Sequence, residues 1–321
     1  MDKLEIKSLP TSEVEISGEL GAPEFTKFRG AAINHLNEHA KVDGFRSGKV
    51  PESVLVKHVG EETVLMKMAE LALQELYPKI VEEQKIDAIG RPEITITKLA
   101  KDNPLGFKIK TAVAPEVKLP DYAVIAKEEN SKPVEIVAVE EKEVGKVLEE
   151  LEQNKADLSK IENPREKIRE NLIKEKEYKA KDKKRLAIIE KIIADSPIVL
   201  PPILVESELD RMMAELQSDI ERVGLKFDDY LTHLKKTVAE MRDTWRNEAE
   251  KRIKTSLILD QIATTEKLEP KNEEVETEAK HLLAHYPNVP PERIALHVKS
   301  MLKNEEVWKF LEAQKSDGAE A

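Results

Sequence analysis

The chain has 321 residues, 36% of them charged and 40% hydrophobic, with aromatics at 4%, 11 glycines and no cysteine. Without cysteine there are no disulfides and no thiolate metal sites, and so many charges around so few aromatics favour long helices over a compact enzyme core. The net charge of −11 argues against bulk attraction to nucleic acid or to an anionic membrane.

The start, MDKLEIKSLP, has no apolar stretch followed by a cleavage site, and no apolar run approaches membrane-spanning length. A soluble cytoplasmic protein is therefore expected. Residues 13–20 alternate Val14, Ile16 and, less cleanly, Leu20 with polar residues, the period of a half-buried strand that Gly21 and Pro23 end. Residues 24–39 read as a helix carrying Phe25, Phe28, Ala32 and Leu36 at helical spacing. After Pro51 a short helical segment precedes a longer one from about Glu61, whose Leu65, Met68, Ala72, Leu76 and Ile80 form one stripe. Pro78 is expected to kink or interrupt it. ITITKL (94–99) and GFKIKTAV (106–113) read as strands of an antiparallel hairpin joined through Asp102, Asn103 and Pro104. Residues 1–118 thus form a small α+β domain.

Beyond Lys118, residues 119–139 read as an extended linker with Val134, Ile136 and Val139 in a short strand, followed by a helix from Glu140 to Ala156. Asn163-Pro164 opens another helix, proline being well placed in a first turn, and it runs to Ser196-Pro197 through a middle so charged that it reads as a solvated arm. Residues 203–223 give the cleanest amphipathic pattern, with Val205, Leu209, Met212, Leu216, Ile220 and Val223 on one side and Gly224 in the position that closes helices. Residues 228–264 repeat the pattern, and shorter helices follow around 273–286 and 291–315. The back half is all helix, without a fixed-period repeat.

Three motifs invite chemistry. GFRSGKVP (44–51) suggests a phosphate loop, but only three residues separate Gly44 from Gly48, and Val50 stands where a hydroxyl should reach Mg²⁺. HLNEH (35–39) fits an inverted zincin pattern, against the need of the same helix to bury Phe28, Ala32 and Leu36; HLLAH (281–285) lacks the glutamate altogether. Surface histidines are the simpler reading of both, and no nucleophile elbow or dinucleotide fingerprint appears. No metal site, cofactor or catalytic residue is expected.

With a strand, helix and hairpin around it, GFRSGKVP resembles the signature loop of the trigger factor family of bacterial ribosome-associated chaperones, with Gly44, Phe45, Arg46, Gly48, Lys49 and Pro51 at the matching positions. Ser47 departs from the lysine frequent there. LPDY (119–122), LPPILVESELDRMM (200–213) and WRNEAEKRIKTSLILDQIATTEKL (245–268) are similar to further family segments, so most of the chain is covered. The resemblance implies an α+β N-terminal ribosome-binding domain (1–118), a linker and first segment of the C-terminal domain (119–163), and an all-α, elongated chaperone domain with helical arms (164–321). It also implies that a prolyl isomerase domain of about a hundred residues is missing, because ADLSKIENP (156–164) joins the flanking helices directly.

On that resemblance Gly44, Phe45, Arg46, Ser47, Gly48 and Lys49 form a loop that docks on the large ribosomal subunit, protein and RNA, at the tunnel exit. The chemistry of the loop is suited to docking, since the glycines permit an exposed tip, Phe45 offers apolar area, and Arg46 and Lys49 offer charge to phosphate or carboxylate. Any contact with a polyanion has to be local, since residues 1–118 carry 17 Lys+Arg against 19 Asp+Glu, so −2, leaving −9 for the rest. Unfolded or nascent polypeptides are the expected clients, with DNA and membranes excluded and a homodimer off the ribosome left open. Met213, Met241 and Met301 are the candidate client contacts, because methionine adapts to unrelated apolar segments. A ribosome-independent helical holdase or a scaffold for one dedicated partner is the alternative.

Overall fold

The structure, a computed structural model, describes residues 2–132, 139–153, 163–286 and 289–314. It divides into two compact units, one of Met1–Glu116 with Val199–Glu250 and one of Val117–Ile198 with Lys251–Ala321.

The first unit is built on a four-stranded antiparallel sheet in the order β1-β2-β4-β3, with β1 Asp2–Leu9, β2 Glu13–Leu20, β3 Ala88–Lys98 and β4 Leu105–Val113. Register places Ile16 and Ile94 on either side of Ile109, so one face of the sheet is apolar. Between β2 and β3 come the helices α1 (Ala22–Thr26), α2 (Arg29–His39), α3 (Glu52–Val59) and α4 (Glu61–Glu83). The predicted stripe of α4, Leu65, Met68, Ala72, Leu76 and Ile80, is buried in one core with Ile16, Leu105, Phe107 and Ile109 of the sheet. Each of these large side chains contributes roughly 1.5–3 kcal/mol by leaving water, which fixes α4 on the sheet and gives the shorter α2 and α3 a rigid base.

The same unit takes in α8 (Pro202–Arg222), α9 (Phe227–Leu234) and the first part of α10 (Val238–Glu266). The Ser12 hydroxyl donates to the Val199 carbonyl at 2.7 Å, and Gly90, at φ +71°, leaves no room for a Cβ beside the Ile203 side chain. Arg242 and Arg246 of α10 both bond Glu206 of α8, at 2.6 and 2.7 Å.

The second unit is helical: α5 (Tyr122–Ser131), α6 (Glu141–Gln153), α7 (Pro164–Ala194), the remainder of α10, α11 (Asn272–His285) and α12 (Pro291–Glu312). Ile188, Ile192, Ile258 and Leu311 are fully buried in it. Glu129 is 3% exposed; burial pushes its carboxyl up, but the ammonium groups of Lys132 and Lys191, at 2.6 and 2.7 Å, outweigh that and hold it below the ordinary value.

Several expectations need correction. β1 has no counterpart in the sequence pattern, because Leu4 is only partly buried and Ile6 is exposed, so this edge strand barely alternates. The helix expected over 24–39 breaks at Lys27 and Phe28 into α1 and α2. Pro78 does not interrupt α4: it sits on the exposed side, while Leu76 and Ile80 stay buried on the other. The linker expected over 119–139 contains α5, started by Asp121, whose side chain accepts from the Val124 N–H at 3.1 Å. The helix expected over 228–264 is two, parted at Lys235, which is left-handed. Val134 and Ile136 of the expected strand, and most of ADLSKIENP, lie outside the described residues.

Candidate functional site

The GFRSGKVP loop joins the end of α2 to the start of α3, and its shape follows from how α2 ends. The last carbonyls of a helix lack intrahelical partners, and here the loop supplies donors for them. The Ala40 N–H bonds the Leu36 carbonyl at 2.9 Å, the Gly48 N–H bonds that of Asn37 at 2.9 Å, and the Ser47 hydroxyl bonds that of Glu38 at 2.8 Å. Gly44 and Gly48 stand at φ +83° and +81°, the left-handed region where side chains are strained. Between them the chain turns back, the Lys49 N–H reaching the Arg46 carbonyl at 3.0 Å.

The loop's exit is held from two sides. Asn37 is 8% exposed; its side-chain Nδ2 donates to the Val50 carbonyl at 2.7 Å and its Oδ1 accepts from the Val50 N–H at 3.1 Å. Val50 is itself buried. Arg29, at the start of α2, bonds Glu52 at 2.9 Å and Glu61 at 2.6 Å, tying the first residues of α3 and α4 together. The bond to Glu61, outweighing desolvation, raises the Arg29 pKa, and the same bond holds the Glu61 carboxyl below its ordinary value.

What this frame presents is an aromatic ring and two cations. Phe45 is 43% exposed, so it is not tucked into the core as in an ordinary interhelical turn. Arg46, Ser47 and Lys49 are exposed, and among the described residues neither Arg46 nor Lys49 has an ion-pair partner. All six predicted loop residues are therefore brought together at one exposed tip.

The client candidates fare differently. Met213 and Met241 are buried, whereas Met301 is 42% exposed. Sequence reasoning missed other exposed apolar side chains: Val223 and Leu225 on either side of Gly224, and Leu234 and Val238 on either side of the break between α9 and α10. Their signal is position, since each lies at or beside a helix end.

His35 and His39 stack at 4.8 Å, and His281 and His285 meet edge to face at 5.1 Å; all four are at the surface or close to it. Among the described residues no cluster of three or more His, Cys, Asp or Glu side chains is arranged around a common point.

An α+β base bears a braced, exposed aromatic and cationic loop, and the helices α8, α9 and α10 leave apolar side chains exposed at their ends. Residues 2–151 match the family model for the bacterial trigger factor protein, and residues 160–315 match the model for its C-terminus. The chain belongs to the trigger factor family of chaperones. Relatives named trigger factor include those of Moorella thermoacetica, 23% identical with 87% of this chain and 86% of that protein covered, and Agathobacter rectalis, 24% identical with 88% and 87% covered. A solved structure described in the words "Promiscuous Substrate Recognition in Folding and Assembly Activities of the Trigger Factor Chaperone" shares the fold at a TM-score of 0.57, with 17% identity over 97% of this chain and 100% of that one. Only residues 152–159 separate the two family matches, and the 321-residue chain fits a form that lacks the isomerase domain.

Proposed function

We propose that this protein is an ATP-independent cytoplasmic chaperone that docks on the large ribosomal subunit beside the polypeptide exit through residues 44–49 and shields apolar segments of emerging chains, without prolyl isomerase activity. Residues 1–118 carry the docking, and the helical remainder, from 119 onward, carries the clients. The observation that supports docking is the loop itself: Phe45, Arg46 and Lys49 are solvent-exposed on a frame of buried hydrogen bonds, and among the described residues neither cation has an ion-pair partner. An exposed aromatic with adjacent cations is the composition of a binding hot spot, and guanidinium and ammonium groups suit phosphate or carboxylate.

Binding to clients rests on Val223, Leu225, Leu234, Val238 and Met301, which remain exposed in the folded chain. Scattered apolar contacts of this kind hold unrelated sequences weakly and release them without nucleotide hydrolysis.

Two measurements test the proposal. The chain should co-sediment with purified 70S ribosomes in a salt-sensitive manner and suppress the aggregation of a chemically unfolded model protein; ribosome binding with no suppression would favour a scaffold, and suppression with no ribosome binding a free holdase. In a proline-peptide isomerisation assay it should give the solvent rate, and any catalysis above that rate refutes the loss of isomerase activity.

A further inference from the structure

Asn37 is one of the few polar side chains buried among the described residues. A buried carboxamide must find partners for its donors and acceptor, or burial is penalised. It finds them in a single residue: donor to the Val50 carbonyl at 2.7 Å and acceptor from the Val50 N–H at 3.1 Å. This two-way pairing closes the loop from the last turn of α2 to its exit, thirteen residues on, and the Asn37 main-chain carbonyl takes the Gly48 N–H at 2.9 Å besides. The residues so enclosed include Phe45, Arg46 and Lys49. Ser47 adds a second tie one residue along, to the Glu38 carbonyl.

We infer that Asn37 is a positioning residue for the docking loop: by pairing with both backbone groups of Val50 it holds Phe45, Arg46 and Lys49 in one presentation before any partner arrives. The inference rests on the docking reading. A loop ordered in advance loses less conformational freedom on binding, so its affinity is higher for the same contacts. An apolar side chain at 37 would leave the α2 helix intact but strip Val50 of both partners, and the loop would sample many shapes.

The test compares the full-length chain with Asn37→Ala, Ser47→Ala and the triple variant Phe45→Ala, Arg46→Ala, Lys49→Ala. Ribosome affinity is measured by co-sedimentation, and amide hydrogen exchange is followed by mass spectrometry. Asn37→Ala should bind ribosomes about tenfold more weakly, with faster exchange over 44–50 and unchanged exchange in the sheet and α4. A residue with a merely structural role would lower thermal stability and leave affinity alone. Unchanged affinity in a folded Asn37→Ala variant, with binding lost in the triple variant, overturns the inference and leaves the docking reading standing. Undiminished binding by the triple variant overturns both. If Asn37→Ala fails to fold, Ser47→Ala decides: its site is exposed, and a roughly threefold loss with faster loop exchange supports positioning by these ties, whereas no change in affinity rejects it.

Discussion

Replacing Phe45, Arg46 and Lys49 together by alanine is expected to weaken binding to 70S ribosomes by about a hundredfold or more while leaving the fold intact. The magnitude follows from the kind of residues removed: a central aromatic or arginine anchor is worth about 2 kcal/mol or more, and each ~1.4 kcal/mol is a factor of ten. The fold should survive because all three are exposed, while Asn37, Val50 and the Arg29 bridge to Glu52 and Glu61 stay in place. Salt gives an independent check. If Arg46 and Lys49 each neutralise a phosphate, raising salt from ~50 to ~200 mM should weaken the native chain by about tenfold, and most of that sensitivity should vanish with the two cations. Circular dichroism confirms the fold. Affinity within twofold of the native chain would show that these residues are not the docking site.

The loop is legible in the sequence because its meaning is local. Two glycines, an aromatic and two cations in eight residues say what the tip offers, and the positive φ of Gly44 and Gly48 and the exposure of Arg46 and Lys49 follow from residue type, whereas the exposure of Phe45 does not. The frame under the tip is not legible. Nothing in the spacing of Asn37 and Val50 announces a two-way bond across thirteen residues, and a lone asparagine in a helix gives no apolar period to read. The same division runs through the fold. The α4 stripe and β2 are plain, because one face of each is buried and the pattern is strict. β1, at the sheet edge with few buried side chains, and α5, short and started by a side-chain cap, lack that signal.

The methionines show why exposure cannot be taken from composition. Met213, one step off the α8 stripe, is expected from the sequence to face clients, yet helix α8 buries Met212 and Met213 alike together with Glu208. A 100° step along a helix does not leave a wide apolar face. The exposed apolar side chains of this region stand instead where α8 ends. Gly224, at φ +82°, stops α8 with the Leu225 N–H returned to the Ile220 carbonyl at 3.1 Å, the pattern of a left-handed helix cap. That turn leaves Val223 and Leu225 exposed, at 70% and 57%.

The second large effect is expected in the helical unit, where Arg185→Ala should destabilise the fold by about 2–3 kcal/mol, read from urea or thermal unfolding. Arg185 lies in α7 at 18% side-chain exposure and holds α12 in three ways. Its guanidinium makes a two-pronged bond to Glu305 at 3.0 and 2.8 Å, its Nε bonds Glu312 at 2.6 Å, and it stacks 5.3 Å from the centre of the Trp308 ring. Desolvation lowers the Arg185 pKa, but the bonds to Glu305 and Glu312 outweigh it and raise it, so it stays charged at every accessible pH. Removing it leaves the Glu305 carboxylate without its two-pronged partner and Glu312 with Lys181 alone, at 3.3 Å. The two carboxylates are not fully buried, Glu305 being 39% exposed, so water relieves part of the loss and the upper end of the range for a broken buried pair is not reached. Arg185→Lys should recover little of it, since an ammonium cannot make the two-pronged bond or stack on the indole as a guanidinium does. Acid supplies the sign that separates this mechanism from simple loss of packing. The bond to Arg185 holds the Glu305 carboxyl below its ordinary 4.5 despite desolvation, so its contribution is fully present above pH 4.5 and is lost as the pH falls through the lowered folded value. The native chain should therefore lose more stability than the Arg185→Ala chain between neutral pH and pH ~3, and the gap between them should narrow. A gap that stays constant down to that pH would mean that Arg185 acts through its packing on Trp308 alone.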